Sequence, residues 1–391
     1  MTLTIEKMKT ITKANICWIQ VLLLLPMLIG CKSSGEFDPG PFAPGSEEAK
    51  TSLIFNVSDA SGNPIKGAYV VSFRKLAPLH IRVGEGFTDA QGLIQIEDDT
   101  DTQEGYANIV APGYNSQKVA LKVDQKKENR ITITLTKQNV LKILSYNVEE
   151  GFKDDAALRK KFAEWVAQYD PDVILLQEMQ HFTDQSFAEF AKSYGHEYAV
   201  LSKTVGFPTG ITSKEEIKDI RKVIKTGVLH HGYVTGETFG IRLFSVHLNP
   251  YELDNDRNIH KIARKDEIKI ILDDAQSYAG QPIIIGGDLN DHNEFDRDTF
   301  GPGYRYGERD HTVTNTCKAY GYFDSYPLLN TEFKSTSVEK NNTTNEGYRI
   351  DYIFVNQLLK SNVVYADIVQ SAYTDQFSDH YPMYIEVKKS N

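Results

Sequence analysis

Pro282 to Asn290 reads PIIIGGDLN. The β-branched run from Ile283 to Ile285 is too apolar to lie on a surface and predicts a short buried strand. Gly286 and Gly287 then predict a sharp backbone turn at its end, which holds Asp288 and Asn290 at the rim. Gly, Asp and Asn are also the ordinary turn residues, so this stretch alone is compatible with a strand that merely ends in a turn. Four further apolar runs decide against that, because each finishes in a residue suited to a metal or a phosphate: ILSYN at Asn147, VILLQE at Glu178, LFSVH at His247 and YRID at Asp351. One site built from many strand ends is the expectation.

At 391 residues, 40% hydrophobic and 25% charged, the chain has an ordinary globular composition, with room for two or three domains at roughly 150 residues each. Its net charge is −10, and −12 without residues 1 to 30, which carry Lys7, Lys9 and Lys13 against Glu6. So acidic a chain has no general electrostatic pull on nucleic acid or anionic lipid. A local basic groove stays open, but no stable nucleic-acid complex is expected.

Residues 1 to 30 predict a targeting leader rather than part of the fold: lysines, then an apolar run from Val21 to Ile29, then Gly30 and Cys31. The run is too short to cross a membrane as a stable helix. Leu28, Ile29, Gly30 and Cys31 resemble the bacterial lipobox, in which cleavage precedes a cysteine that is lipidated. That resemblance implies lipidation at Cys31 and an exported protein anchored to a membrane rather than crossing it. Lys32, in place of the aspartate associated with inner-membrane retention, favours the outer membrane. With Cys17 lost in the leader and Cys31 lipidated, Cys317 is the one free thiol and no disulfide framework exists. Residues 31 to 50, rich in Gly, Pro, Ser and acid without periodicity, predict a tether.

From Thr51 to Lys137 short alternating runs (SLIFNV, AYVVSF, GLIQI, KVALKV, RITITL) are separated by turn signals such as SGNP, DAQG and APGY, which predicts a small all-β sandwich. GNPIKGAYVV, TDAQGLIQI, APGY and RITITLTK resemble the carboxypeptidase regulatory-like, transthyretin-like domains. With no cluster of His, Cys or paired carboxylates, this part reads as a spacer or a binding module.

From Val140 to Asn391 strands alternate with helical segments, predicting an α/β domain of about 250 residues. Asp154 or Asp155 caps a helix running to Tyr169 with Leu158, Phe162, Trp165 and Val166 on one face. A second helix is expected near Asp184 to Ser193. A third, around Ile262 to Ala275, buries Ile262, Ile268, Ile271 and Leu272, and a hairpin through Thr235 to Glu237 precedes IRLFSVHLN. The chain between Asn290 and Arg349 is polar and poor in strand signal apart from KAYGYFDSY, as expected for loops that shape a pocket.

LKILSYNV, DPDVILLQEM, LFSVHL, IIIGGDLND, YRIDYIFV and FSDHYPMYIEV follow one another in this order from Val140 to Lys388. Together they resemble the endonuclease/exonuclease/phosphatase superfamily. The resemblance implies a four-layer α/β sandwich with two facing β-sheets, preceded here by the small all-β domain, and a site at the strand ends. It also implies that Glu178 is the main metal ligand with Asn147 beside it, and that Asp288 and Asn290 handle the attacking water and the phosphate. His247 would contact a phosphate oxygen, Asp379 would lie near the metal, and His380 would pair with Asp351. The family's apurinic-site endonuclease branch typically has a different residue at the position of His247, whereas its deoxyribonuclease, sphingomyelinase and sugar or inositol phosphatase branches have histidine there. A DNA-repair role is therefore not expected.

The chemistry asks for such a set on its own terms. Phosphate esters are anionic and hydrolyse very slowly unaided, so a catalyst must neutralise phosphoryl charge and activate water. A hard cation, Mg²⁺ or Mn²⁺, held by one or two carboxylates meets the first need, and Glu178 suits it. A carboxylate such as Asp351 on one nitrogen of His380 fixes the tautomer and leaves the other nitrogen for proton transfer. His230 and His231, in LHHGYV, are candidate substrate-binding residues alongside Asn147. On a strand only one of the two rings could face the site, and pocket residue and packed residue both stay open. The leading expectation is a metal-dependent phosphoesterase acting on a small or membrane-borne phosphoester outside the cytoplasm. The alternatives are an extracellular nuclease, a catalytically silent binding lipoprotein, and a surface glycan-binding lipoprotein acting through the β domain.

Overall fold

Apolar runs between turn signals mark five of the seven strands between positions 51 and 135. A computed structural model describes residues 50–76, 79–296, 311–337 and 348–389. The leader, Cys31 and the tether up to residue 49 lie outside the described residues. The strands are β1 (Thr51–Asp59), β2 (Tyr69–Leu76), β3 (Leu79–Phe87), β4 (Leu93–Asp98), β5 (Glu104–Val110), β6 (Gln117–Lys122) and β7 (Glu128–Leu135). They form two sheets, ordered β4-β1-β7 and β3-β2-β5-β6. Leu53, Phe55, Val57, Val70, Ile109 and Leu135 fill the space between them. On β2 and β5 the opposite face is buried too, so EGYANIV shows no alternation and is not recognisable as a strand.

The second part contains β8 (Val140–Asn147), β9 (Val173–Gln177), β10 (Tyr198–Leu201), β11 (Gly210–Ser213), β12 (Lys218–Val223) and β13 (Tyr233–Thr238). It continues with β14 (Ile241–His247), β15 (Ile283–Asp288), β16 (Tyr322–Asp324), β17 (Asp351–Asn356), β18 (Val363–Ile368) and β19 (Met383–Lys388). Two six-stranded sheets result, β10-β11-β9-β8-β19-β18 and β12-β13-β14-β15-β17-β16. Ile143, Leu175, Leu243, Ile284, Ile353 and Ile385 pack between them. The helices Ala156–Tyr169 and Asp184–Lys192 cover the outer face of the first sheet, and Arg264–Gln276 and Thr312–Ala319 that of the second. This is the four-layer α/β sandwich with two facing sheets and a preceding β domain.

Asp155 caps the first helix by accepting from the Ala157 and Leu158 N–H groups at 2.7 and 3.3 Å. Phe162, Trp165 and Val166 are buried on its inner face. The third helix begins at Arg264, so Ile262 is buried just ahead of it rather than on it. The hairpin expected through Thr235 to Glu237 turns instead at Phe239 and Gly240, with φ of 53° and 70°, as a two-residue hairpin turn requires. Gly236 lies within β13 because a Cβ there would come within 2.5 Å of the Ile217 side chain. The same reason corrects the reading of Gly286 and Gly287, through which β15 continues to Asp288. A Cβ on Gly286 would lie 2.6 Å from Leu175 of the facing sheet, and one on Gly287 would lie 1.9 Å from the Val246 carbonyl oxygen. These glycines bring backbones together at the end of the sheet interface; they do not turn the chain.

The β domain is docked on the first sheet of the second part. Tyr69, Val71, Phe73 and Tyr106 share a core with Tyr169, Tyr365, Val369 and Tyr384. Asn108 donates to Asp367 at 2.7 Å, and the Ser116 N–H donates to Glu386 at 2.9 Å. The β domain is thus packed against the second part through a shared aromatic core and cross-domain hydrogen bonds.

Arg349, two residues before Asp351, is fully buried between Asp296 (2.9 Å) and Asp324 (2.7 Å), with its guanidinium 4.6 Å from the centre of the Tyr352 ring. Replacing it leaves two carboxylates buried without their cation. Arg349→Leu is expected to lower the unfolding free energy by about 3–5 kcal/mol, read by urea denaturation; a loss below about 1 kcal/mol would contradict this account of the loop.

Candidate active site

Two β–α–β units place the site. In the first, β8 and β9 are parallel with Asn147 beside Gln177, so Asn147 ends one strand and Glu178 directly follows the other, turned by a φ of 59°. In the second, β14 and β15 are parallel with His247 beside Asp288. Antiparallel β17 then sets Asp351 beside Asp288, completing one row across the second sheet. Asp351 therefore starts its strand instead of ending it, and reaches the same rim because β17 runs the other way.

The two halves meet at Asn147, which is 0% exposed. Its Nδ2 donates to Glu178 Oε1 and to Asp288 Oδ2, both at 3.1 Å, and its Oδ1 accepts the Glu149 N–H at 3.2 Å. Both amide protons are thus engaged by carboxylates, and Asn147 links the two sheets. The second Glu178 oxygen accepts the Glu150 N–H at 3.0 Å. Burial lifts Glu178 above the usual carboxylate range in spite of these donors.

His380 reaches Asp351 Oδ2 with Nδ1 at 2.8 Å. Its Nε2 lies 3.9 Å from Asp288 Oδ2 and 4.0 Å from Asp379 Oδ1. Burial disfavours the charged ring, but the Asp351 charge and hydrogen bond, with Asp288 and Asp379, outweigh it and hold His380 well above the usual imidazole value. Burial, and then repulsion from Asp351, push Asp288 up to about 8. The Asn290 N–H donates to Asp288 Oδ1 at 2.8 Å and its side chain donates to the Leu248 carbonyl at 3.1 Å. His247 Nε2 stands 3.6 Å from Asp288 Oδ2, beyond a hydrogen bond. Burial pulls its pKa down to about 3, so the ring is neutral.

His230 and His231 lie in the loop before β13, not on a strand, so the alternating-face argument does not govern them. His231 is buried and stacks on His247 with ring centres 4.2 Å apart, and His230 stands edge-on to His231 at 4.3 Å. Only half-buried His230 remains near the surface, its N–H held by Glu267 at 2.5 Å.

Several contributors escaped the sequence reading. Ser378 Oγ donates to the Asn147 carbonyl at 2.7 Å and accepts the His380 N–H at 3.0 Å; a serine two residues before His380 is a recognisable turn signal. Thr336 Oγ1 accepts the Ile350 and Asp351 N–H groups at 3.0 and 3.1 Å, and no local pattern announces it. Glu149 to Asp154 hold φ between 45° and 64° in succession, a left-handed turn that costs about 1–2 kcal/mol per non-glycine residue. Gly151 is needed within it, because a Cβ would lie 2.1 Å from the Gln180 carbonyl oxygen. That strained turn delivers the Glu150 N–H to Glu178, and places Glu149 Oε2 to accept the Asp379 N–H at 3.1 Å.

The donor set is rich in oxygen and fits a hard divalent cation. Glu178 and the half-exposed Asp379, close enough for the Asp379 charge to act on Glu178, add two carboxylates. Asp288, Asp351 and His380 offer one atom each within 4.8 Å of one another. Asp351 Oδ1 is buried and has no hydrogen-bond partner. The one free cysteine among the described residues, Cys317, is buried in the helix Thr312–Ala319 and contributes nothing to the set.

Residues 144–380 match the model of the Endonuclease/Exonuclease/phosphatase family. A DNA-(apurinic or apyrimidinic site) endonuclease of Dictyostelium discoideum is 26% identical over 291 residues, which cover 69% of this chain and 75% of that one. Two solved structures share the fold: a 3′ phosphatase from Neisseria bound to a product DNA hairpin (16% identity, TM-score 0.52) and a 3′-5′ exonuclease from Neisseria meningitidis (17%, 0.51). Each is matched over 63% of this chain and 99% or more of its own. The chain belongs to the endonuclease/exonuclease/phosphatase family, whose members hydrolyse phosphoester bonds.

Proposed function

We propose that this protein is a divalent-metal-dependent hydrolase of a small or membrane-borne phosphoester, held outside the cytoplasm by a lipid on Cys31. The observation that carries the reading is the buried Asp351–His380 pair at 2.8 Å, whose free imidazole nitrogen faces Asp288 at 3.9 Å. Glu178 and Asp379 would hold Mg²⁺ or Mn²⁺, which when bound supplies positive charge to the phosphoryl oxygens. Asp288, its carboxylate oriented by the Asn290 N–H, would take a proton from the attacking water. His380, oriented and held charged by Asp351, would present its Nε2–H to the phosphoryl group. Neutral His247 offers a hydrogen bond to a phosphoryl oxygen without adding charge. His230, at the outer end of the histidine stack, would touch the substrate.

The small-substrate reading is supported by the acidic net charge of −10, unsuited to an affinity that comes from many Lys and Arg contacts with nucleic-acid phosphates. A nuclease is the second reading, favoured by the DNA-directed names of the relatives. Assays of the fragment beginning at Lys50 separate the two. The proposal expects faster hydrolysis of choline phosphodiesters, sugar phosphates or inositol phosphates than of plasmid DNA, with a KM that hardly changes with salt. Salt-sensitive plasmid nicking without small-phosphoester turnover would establish the nuclease. For the anchor, the wild-type chain is expected in the membrane fraction and Cys31→Ala in the soluble one; equal partition would contradict it.

Chelator is expected to abolish turnover, Mg²⁺ or Mn²⁺ to restore it, and Glu178→Ala to lose it at any practical metal concentration; full turnover in chelator would refute the metal assignment. His380→Ala and Asp351→Asn are each expected to lower kcat by about 10²–10⁴. Because the two act as one unit, the double variant should lose little more than the worse single one. Losses that multiply would mean that the two side chains act separately.

A further inference from the structure

The β sandwich reaches the segment that carries His380 through two side chains of β3. Arg82 Nη2 donates to Asp375 Oδ2 at 2.5 Å and Nη1 to Oδ1 at 3.4 Å, a forked contact between the two parts of the chain. Glu85, whose Oε2 lies 3.4 Å from Arg82 Nε, accepts the Ala372 N–H with both oxygens at 3.0 Å and the Tyr69 hydroxyl at 2.5 Å. Together they grip residues 372 to 375, in the connection between β18 and β19.

That connection has little pairing of its own. Beyond the Ile368–Met383 pair, the contacts of this kind among the described residues are the Val369 N–H to the Pro382 carbonyl at 2.9 Å, the bridge from His380 to Ser337 and the Tyr381 N–H to the Thr336 carbonyl at 2.5 Å, while Ser371 and Thr374 cap each other within the turn. The short helical turn Thr374–Phe377 buries Phe377 against Phe162 and Trp165, and Ser378 then ties the Asn147 carbonyl to the His380 N–H. On the other side of His380, the Tyr381 hydroxyl donates to Asp375 Oδ1 at 2.7 Å. Asp375 is therefore gripped from the β sandwich by Arg82 and tied forward to the residue after His380. An exposed ion pair by itself contributes little to stability. A forked, shared contact on a segment with no ladder acts instead on position.

We propose that Arg82 and Glu85 are positioning residues for His380, which makes the β sandwich a working part of the catalytic unit. The kinetic part of this inference rests on the phosphoesterase reading; the structural part does not. The test uses the full chain. Arg82→Asp is compared with Arg82→Lys, which keeps a cation facing Asp375 and leaves the Asp375–Tyr381 hydrogen bond in place. Lys118→Ala serves as control, since Lys118 crosses the same interface to Asn330 (2.8 Å) and to Glu332, away from this segment. Turnover of a small phosphoester and amide hydrogen exchange of peptides spanning residues 371 to 381 are both read.

Arg82→Asp is expected to lower kcat about tenfold with KM within about twofold, because displacement of a reacting group acts on the chemical step. It is also expected to speed exchange in that segment, with Arg82→Lys holding both near the wild-type values and Lys118→Ala leaving both unchanged. Wild-type kcat and exchange in Arg82→Asp would overturn the proposal, as would equal damage from Lys118→Ala or from Arg82→Lys. If Arg82→Asp does not fold, Arg82→Gln removes the charge without reversing it and is read by the same two measurements. If the wild-type chain hydrolyses no phosphoester, the phosphoesterase reading fails while hydrogen exchange still decides the clamp.

Discussion

A single buried carboxamide holds the two halves of the site in register. Asn147 ends a central strand of one sheet, and its two amide protons satisfy Glu178 on its own side and Asp288 on the other. Two carboxylates so close in a water-poor place repel each other and lose hydration, and a neutral donor between them offsets part of both costs without adding charge. That bridge is possible only where the sheets approach closely. Gly286 faces Ser145 and Leu175, and Ser245 Oγ donates to the Leu176 carbonyl at 3.1 Å. Small residues at this end of the interface bring the strand ends together, while Ile and Leu fill the rest.

The rim is assembled from strand ends of both directions. Each sheet contributes a parallel pair connected by a covering helix, which supplies Asn147 and Glu178 in one case and His247 and Asp288 in the other. An antiparallel neighbour then brings a further residue back to the same rim: Asp351 at the start of β17, and His380 just ahead of β19. The electrostatics follow from this crowding. Asp288 rises under burial and the neighbouring Asp351, His380 is held charged by the carboxylates around it, and His247, facing no hydrogen-bonded carboxylate, is left neutral. Pairs of groups driven apart in this way are what acid and base chemistry requires.

Much of this was legible in the sequence because parallel strands with both faces covered read as apolar runs, and a polar residue that ends such a run has nowhere to lie but the rim. That logic identified Asn147, Glu178, His247 and Asp288. It misjudged the direction of Asp351, since an apolar run on either side of an aspartate looks alike from composition. It also took Gly236, Gly286 and Gly287 for turn residues when each permits close approach. Glu150 and Thr336 were hidden because they act through backbone hydrogen bonds, which leave no period or spacing to detect, whereas Ser378, two residues before His380, carried a turn signal that was passed over. The docking of the β sandwich was hidden for the complementary reason: β2 and β5 bury both faces, one on their own core and the other on the neighbouring sheet.

The central claim is that one site spans the ends of both sheets and gathers a divalent cation and a phosphoryl group there. Anomalous diffraction from crystals of the fragment beginning at Lys50, soaked with Mn²⁺ and inorganic phosphate, tests it most directly. The account predicts a manganese peak about 2.1 Å from a Glu178 carboxylate oxygen, with phosphate oxygens reaching His247 and His380. Manganese found only away from Glu178, with phosphate absent from the rim, would contradict it.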